Sequence, residues 1–309
     1  MTAFLTPPKL TATEAAAALD QKGRSLWRDA RIRFVRNRAA FWSLVVLGVI
    51  CLFAALGPFI AAWSNEDIDW SMLGNVAEAG FPSLANGHYF GTDELGRDLF
   101  ARTVQGTQVS IMVGIVGSLI AVVIGTLYGA IAGYVGGRVD GVMMRAVDVL
   151  MAIPYMFVLI LMLVIFGHSL VMLFIGIGLL SWLEMSRVVR GQTLSLRNRE
   201  FVEAAVATGV RPARIILRHI IPNLLGVVVV MATLLVPSMI LYESFISFLG
   251  LGVQEPDTSL GALISAGATQ MQYGTLWQIG FPLGIFIAIQ FALYYVGDGL
   301  RDALDPKDR

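Results

Sequence analysis

The run Glu200-Phe-Val-Glu-Ala-Ala-Val-Ala-Thr-Gly-Val-Arg-Pro-Ala-Arg-Ile-Ile-Leu-Arg-His-Ile-Ile-Pro222 decides how the rest of the chain is read. It is a basic stretch between two apolar runs, Leu170 to Leu183 and Leu224 to Ile246. Gly209 predicts a helix stop, because glycine accepts the left-handed cap. Pro212 predicts a new start, because its fixed φ suits the first helical turn. Two short helices joined by a tight corner are expected. Ala204, Ala205, Ala207 and Thr208 carry small side chains that would let the first helix approach a partner closely, and Glu203 adds a charged anchor. An ordinary interfacial hairpin between two spans is the plainer reading of the same residues.

Outward from this corner the chain is lipid-like. Of its 309 residues 56% are hydrophobic and 14% charged, which points to an all-α integral membrane protein rather than to soluble domains. The formal net charge of zero gives no sign of a nucleic-acid partner. The lone cysteine, Cys51, sits in an apolar run, so no internal disulfide and no Cys-pair metal site can form. His88, His168 and His219 fall in separate segments, which favours satisfied or exposed roles over a metal cluster.

Six spans are expected. The first, 42–63, is about 33 Å long as a helix, enough for a hydrocarbon core of about 30 Å, and reads as a retained signal anchor. The others are Val109 to Tyr134, Val147 to Phe166, Leu170 to Leu183 (extended to about Val189), Leu224 to Ile246 and Trp277 to Val296. Pro154 and Pro237 are expected to bend theirs. Gly125, Gly129 and Gly133 recur in four-residue steps and predict close helix contact. Around the spans lie a tail and basic amphipathic helix over 1–41, an acidic periplasmic segment over 64–105, a core over 106–298 that includes the loop 199–222, and a C-terminus over 299–309. Met1 to Lys22 reads as a loosely attached tail, and Gly23 to Phe41 as a basic helix on the membrane surface. Of the 22 lysines and arginines, 20 fall in the segments on one side and only Arg97 and Arg102 on the other. The positive-inside rule then places both termini and the Glu203 corner in the cytoplasm.

Ionisable groups near spans are candidates for function. Asp148 follows Arg145 by three residues and Glu184 precedes Arg187 by three, spacings that suit local helix-face pairs. Glu243, near the outer end of the fifth span beside Ser244, has no such neighbour; Glu243 and Ser244 are candidates for the translocation path, and a Glu243 side chain snorkelling outward is the alternative. No Gly-Lys-Ser/Thr phosphate loop, Gly-x-Ser-x-Gly elbow or His-Glu-x-x-His pair occurs, so neither nucleotide binding nor catalysis is expected of the chain itself.

Glu203, Ala204, Ala205, Gly209 and Ile221-Pro222 fall at a spacing that resembles the cytoplasmic loop of ATP-binding-cassette (ABC) importer membrane subunits. His219 departs from the aliphatic residue more usual there. Further segments, in order, are similar to the C-type permease subunits of dipeptide, oligopeptide and nickel importers. They are Gly87 to Leu99, Gly136-Gly137-Arg138-Val139-Asp140 with Met144-Arg145, Ser247 to Gly252, and Gly297 to Pro306. Gly23 to Trp27, Arg190 to Leu196 and the closing Asp305 to Arg309 lean toward the oligopeptide branch. The resemblance implies a type I ABC importer transmembrane domain with six helices in a bacterial inner membrane. It implies that Glu203, Ala204, Ala205, Thr208, Gly209, Val210, Arg211 and Pro212 dock on an ATPase subunit. The implied partners are a homologous B-type permease, two ATPases that hold the ATP and magnesium, a periplasmic peptide-binding protein, peptide and membrane lipid. No cofactor is then bound by this chain. A dipeptide or nickel importer, an ion-driven secondary transporter and an intramembrane enzyme are the competing readings.

Overall fold

Apolar runs long enough to cross a bilayer become helices because every backbone N–H and C=O must be satisfied within the segment. The structure, a computed structural model, describes residues 26–304. The expected tail Met1 to Lys22, the opening of the basic helix and the closing Asp305 to Arg309 lie outside the described residues.

The basic segment forms helix α1 (Leu26–Arg36), which leads through Asn37 into α2 (Arg38–Ile60), where the Asn37 side chain accepts the Ala40 N–H at 3.2 Å. A short α3 (Val76–Ala79) follows, then α4 (Leu99–Val135), α5 (Gly137–Met151), α6 (Tyr155–Phe166) and α7 (Leu170–Arg197). The corner helix α8 (Glu200–Ala207) precedes the long α9 (Pro212–Phe248), which contains a π turn at Ile216–Ile220. Helices α10 (Leu260–Gln270) and α11 (Trp277–Leu304) complete the bundle. Among the described residues five helices, α2, α4, α7, α9 and α11, are each long and apolar enough to cross a membrane. The pair α5 and α6, bent by 77° at its break, passes the same test only when taken together, as one broken span or a re-entrant loop, so the count is five, or six with the pair as one span.

Several boundaries differ from expectation. The first span is Arg38–Ile60, and Ala61 to Trp63 lie beyond it. The second begins at Leu99 rather than Val109, so the end of the expected segment 64–105 is helical. Asp98 caps this helix by accepting the Ala101 N–H at 2.8 Å, and Arg102 is buried next to Asp93 and Glu255. The fourth span runs to Arg197, because Arg190 meets Asp140 of α5 through paired bonds of 2.5 and 2.6 Å and Arg187 pairs with Asp148 of the same helix. The local pairs Arg145–Asp148 and Glu184–Arg187 give way to this cross-helix arrangement. Pro154 breaks its span, whereas Pro237 sits within a continuous helix.

The most extensive helix pairing is α4 on α7. A Cβ on Gly125 would lie 2.6 Å from Met185 Cβ. On Gly129 it would lie 2.9 Å from Val189 Cβ, and on Gly133 2.8 Å from Thr193 Cβ. The glycine row is therefore the seam along which the two helices approach. At the start of α4, far from its glycine-rich end, a polar assembly ties the segment after α2 to the bundle. His88 is fully buried, with Nδ1 2.9 Å from Asp98, Nε2 3.4 Å from Asp69 and its ring stacked on Trp63 at 4.8 Å. Arg97 holds Asp93 at 2.7 Å and Glu255 at 2.8 Å, and Trp277 and Gln278 of α11 both donate to the Thr92 carbonyl. The Gly87 to Leu99 segment thus acts as a structural latch. Arg97 lowers the Glu255 carboxyl below the usual glutamate range, and burial is the main cause raising that of Asp98.

Candidate functional site

The corner after α7 is built by local chemistry. Helix α8 ends in a Schellman arrangement: Gly209 N–H donates to the Val206 carbonyl at 2.9 Å and Val210 N–H to the Ala205 carbonyl at 3.1 Å. Gly209 adopts φ +76°, and Thr208 Oγ1 caps the Ala204 carbonyl at 3.0 Å. Pro212 then opens the next helix at its first turn. The second element is not a separate short helix, because Pro212 to Ile215 continue through the π turn into the membrane span. The corner is therefore an elbow at the base of α9.

Two faces of α8 do different things. Val202 and Ala205 are buried, at 1% and 7% exposure, in a core with Ala130, Met185, Val189 and Ile216. Glu203, Ala204, Thr208, Gly209, Arg211 and Pro212 are exposed and Val210 is half-buried. Of the eight residues expected at the docking face, Ala205 faces the chain's own core and anchors the elbow. The exposed remainder is small or polar, with Phe201 and Val206 as its apolar members. A groove of about 560 Å³ runs beside it, lined by Tyr134, Arg197, Glu203, Val206 and Pro212. Arg197 spans this junction by donating to the Tyr134 carbonyl at 3.3 Å. Val202 and Ala205 thus join α8 to α4, α7 and α9 in one core.

The structure places Glu243 and Ser244 inside the bundle. The Glu243 carboxylate is fully buried and accepts from Ser247 at 2.7 Å, Ser110 at 2.9 Å and Ser244 at 3.2 Å, and Ser110 Oγ also accepts the Leu260 N–H at 3.3 Å. This nest joins α4, α9 and α10, and it is closed by this chain's own atoms. The open space lies elsewhere. A cavity of about 260 Å³ sits at the break between α5 and α6, lined by Pro154, Tyr155, Ser181, Glu184, Ser238 and Tyr242. Pro154 was the sequence signal for the break. The grouping of two tyrosines, two serines and a carboxylate from α6, α7 and α9 had no local signature.

Comparison with known proteins bears on this architecture. Residues 125–309 match the family described as binding-protein-dependent transport system inner membrane component, and residues 25–77 match the N-terminal TM domain of oligopeptide transport permease C. The chain is 54% identical to the oligopeptide transport system permease protein OppC of Escherichia coli strain K12 over 291 residues, covering 94% of each. It is 55% identical to the protein of the same name from Salmonella typhimurium, again over 94% of each. Among solved structures it is similar to a chain of the inward-facing MetNI methionine ABC transporter, with TM-score 0.52 and 17% identity over 65% of this chain and 95% of that one.

Proposed function

This chain belongs to the inner membrane components of binding-protein-dependent transport systems, and from that premise we propose that it is a permease subunit of an ATP-driven oligopeptide importer. The elbow at α8 carries the proposal. It presents a small-residue face outward while its other face is locked into the core that also holds three spans. That is the geometry a coupling element needs: accessible to an ATPase subunit and stiffly joined to the helices that must move. The exposed Glu203, Ala204, Thr208, Gly209, Arg211 and Pro212, with half-buried Val210, form the docking face, and Ala205 and Val202 form the root.

The charge asymmetry supports a cytoplasmic elbow and cytoplasmic termini, where ATPase subunits can reach them. This chain then supplies half of a translocation path and a homologous permease the other half. Two ATPases bind the ATP and magnesium, and a periplasmic binding protein delivers peptide. The chain itself carries out no hydrolysis and holds no cofactor.

The test is peptide uptake by the reconstituted complex. Gly209→Pro, or deletion of 203–209, is expected to leave membrane insertion intact and abolish ATP-dependent uptake. Undiminished uptake by either variant would reject the coupling role. Mass spectrometry of the ligand copurifying with the binding protein separates oligopeptide from dipeptide or nickel cargo.

A further inference from the structure

Glu184 is the group the described functions leave unused. Its sequence neighbour Arg187 is taken by Asp148 of α5, and among the described residues Glu184 has no ion-pair partner. It stands fourteen residues into α7, about 21 Å along a span whose hydrocarbon requirement is about 30 Å. The residue is exposed and lines the cavity at the α5/α6 break, within electrostatic reach of the Tyr242 hydroxyl. An uncompensated carboxylate at that depth is costly against lipid and affordable only against water or a passing cation.

The other polar groups of the cavity share this character, within a lining that is otherwise apolar. Tyr155 and Ser181 both donate to the Ile177 carbonyl, at 3.3 and 2.8 Å, and Ser238 donates to the Leu234 carbonyl at 3.3 Å. With their protons directed to main-chain carbonyls, these hydroxyls offer acceptor lone pairs to whatever enters. The lining contains one carboxylate and no lysine, arginine or histidine. Acceptors with a single negative charge fit a donor-rich cation, and the ammonium group of a lysine side chain is such a group.

We propose that Glu184 is a substrate-facing, specificity-determining residue of the translocation path, favouring peptides that present a lysine side-chain ammonium to the cavity beside Tyr155, Ser181 and Tyr242. The inference rests on the peptide-importer reading and adds a charge preference to it. A unit charge about 6 Å away across water changes an encounter equilibrium about threefold, and more where water is excluded.

The experiment uses the whole complex, with partner permease, ATPases and binding protein, in proteoliposomes. Uptake of trilysine, trialanine and an aspartate-containing tripeptide is measured per ATP hydrolysed. Glu184→Gln is expected to lower trilysine uptake at least about threefold relative to trialanine. Glu184→Lys should lower it further while sparing or raising the acidic peptide, and Glu184→Asp should keep the wild-type ranking. Equal effects on all three peptides, as for a carboxylate paired with a cation of the neighbouring permease, overturn the proposal. So does unchanged discrimination. Absence of uptake of every peptide by the wild-type complex overturns the importer reading itself and takes this inference with it.

Discussion

Removing the same two methyl groups from Val202 and from Val206 should have opposite consequences. Both lie on α8, but Val202 is 1% exposed within the core and Val206 is 55% exposed beside the groove. For Val202→Ala the lost transfer free energy is about 1.6 kcal/mol at about 0.8 per carbon, and the residual cavity brings the total to about 2–3 kcal/mol. That is about a 30-fold or larger change in the local equilibrium between seated and unseated α8. For Val206→Ala the stability cost is expected to stay below about 0.5 kcal/mol, because the side chain is mostly solvated. Hydrogen exchange of the 200–208 amides in the detergent-purified membrane subunits reads the first effect, and retention of the ATPase subunits reads the second. Val202→Ala should accelerate exchange about 30-fold. Val206→Ala should leave exchange unchanged and weaken ATPase retention. Equal acceleration in the two variants, or greater acceleration in Val206→Ala, would refute the division of α8 into root and docking face.

Three further outcomes follow from the packing. Gly129→Leu forces α4 away from α7, where a Cβ already meets Val189 at 2.9 Å and the Arg190 backbone nitrogen at 3.0 Å, and should cost at least about 1–3 kcal/mol of stability, read as a lowered melting temperature. Glu243→Ala strands buried serine hydroxyls and should destabilise by about 2–4 kcal/mol, while Glu243→Gln, which retains an acceptor, should cost less in the same thermal melt. At the latch the folded-state carboxyl of Glu255 is depressed chiefly by Arg97. Its contribution is therefore complete above the ordinary glutamate range and is lost as pH falls below about 4.3 and through the depressed value. The stability difference between wild type and Arg97→Ala should accordingly narrow in acid, and a pH-independent difference would contradict this.

The corner was legible because its determinants are local. A glycine that takes positive φ and a proline at a first turn announce themselves in a few residues, and both adopt the expected roles at Gly209 and Pro212. The glycine row of α4 was readable for a similar reason, since its four-residue period directs it to one face, and that face meets α7. What escaped was non-local. Arg187 chose Asp148, 39 residues away, over nearby Glu184 because the α5–α7 approach places that carboxylate within reach. Span ends moved outward because charged side chains at Arg102 and Arg190 found tertiary partners that no hydropathy window sees. Ala205 turned inward since one side of any short helix must cover the core, and side-chain size alone does not say which. The Glu243 nest draws hydroxyls from residues 110 and 247, so the sequence showed an isolated carboxylate where the fold supplies a closed set of donors.

The most direct measurement places Ala207 in space. With Cys51→Ser removing the lone native cysteine, Ala207→Cys should react with a membrane-impermeant maleimide in inside-out vesicles, stay unreacted in intact spheroplasts, and be shielded when the ATPase subunits are bound. Labelling from the outer face, or labelling that the ATPases do not diminish, would contradict a cytoplasmic elbow that takes its push from them.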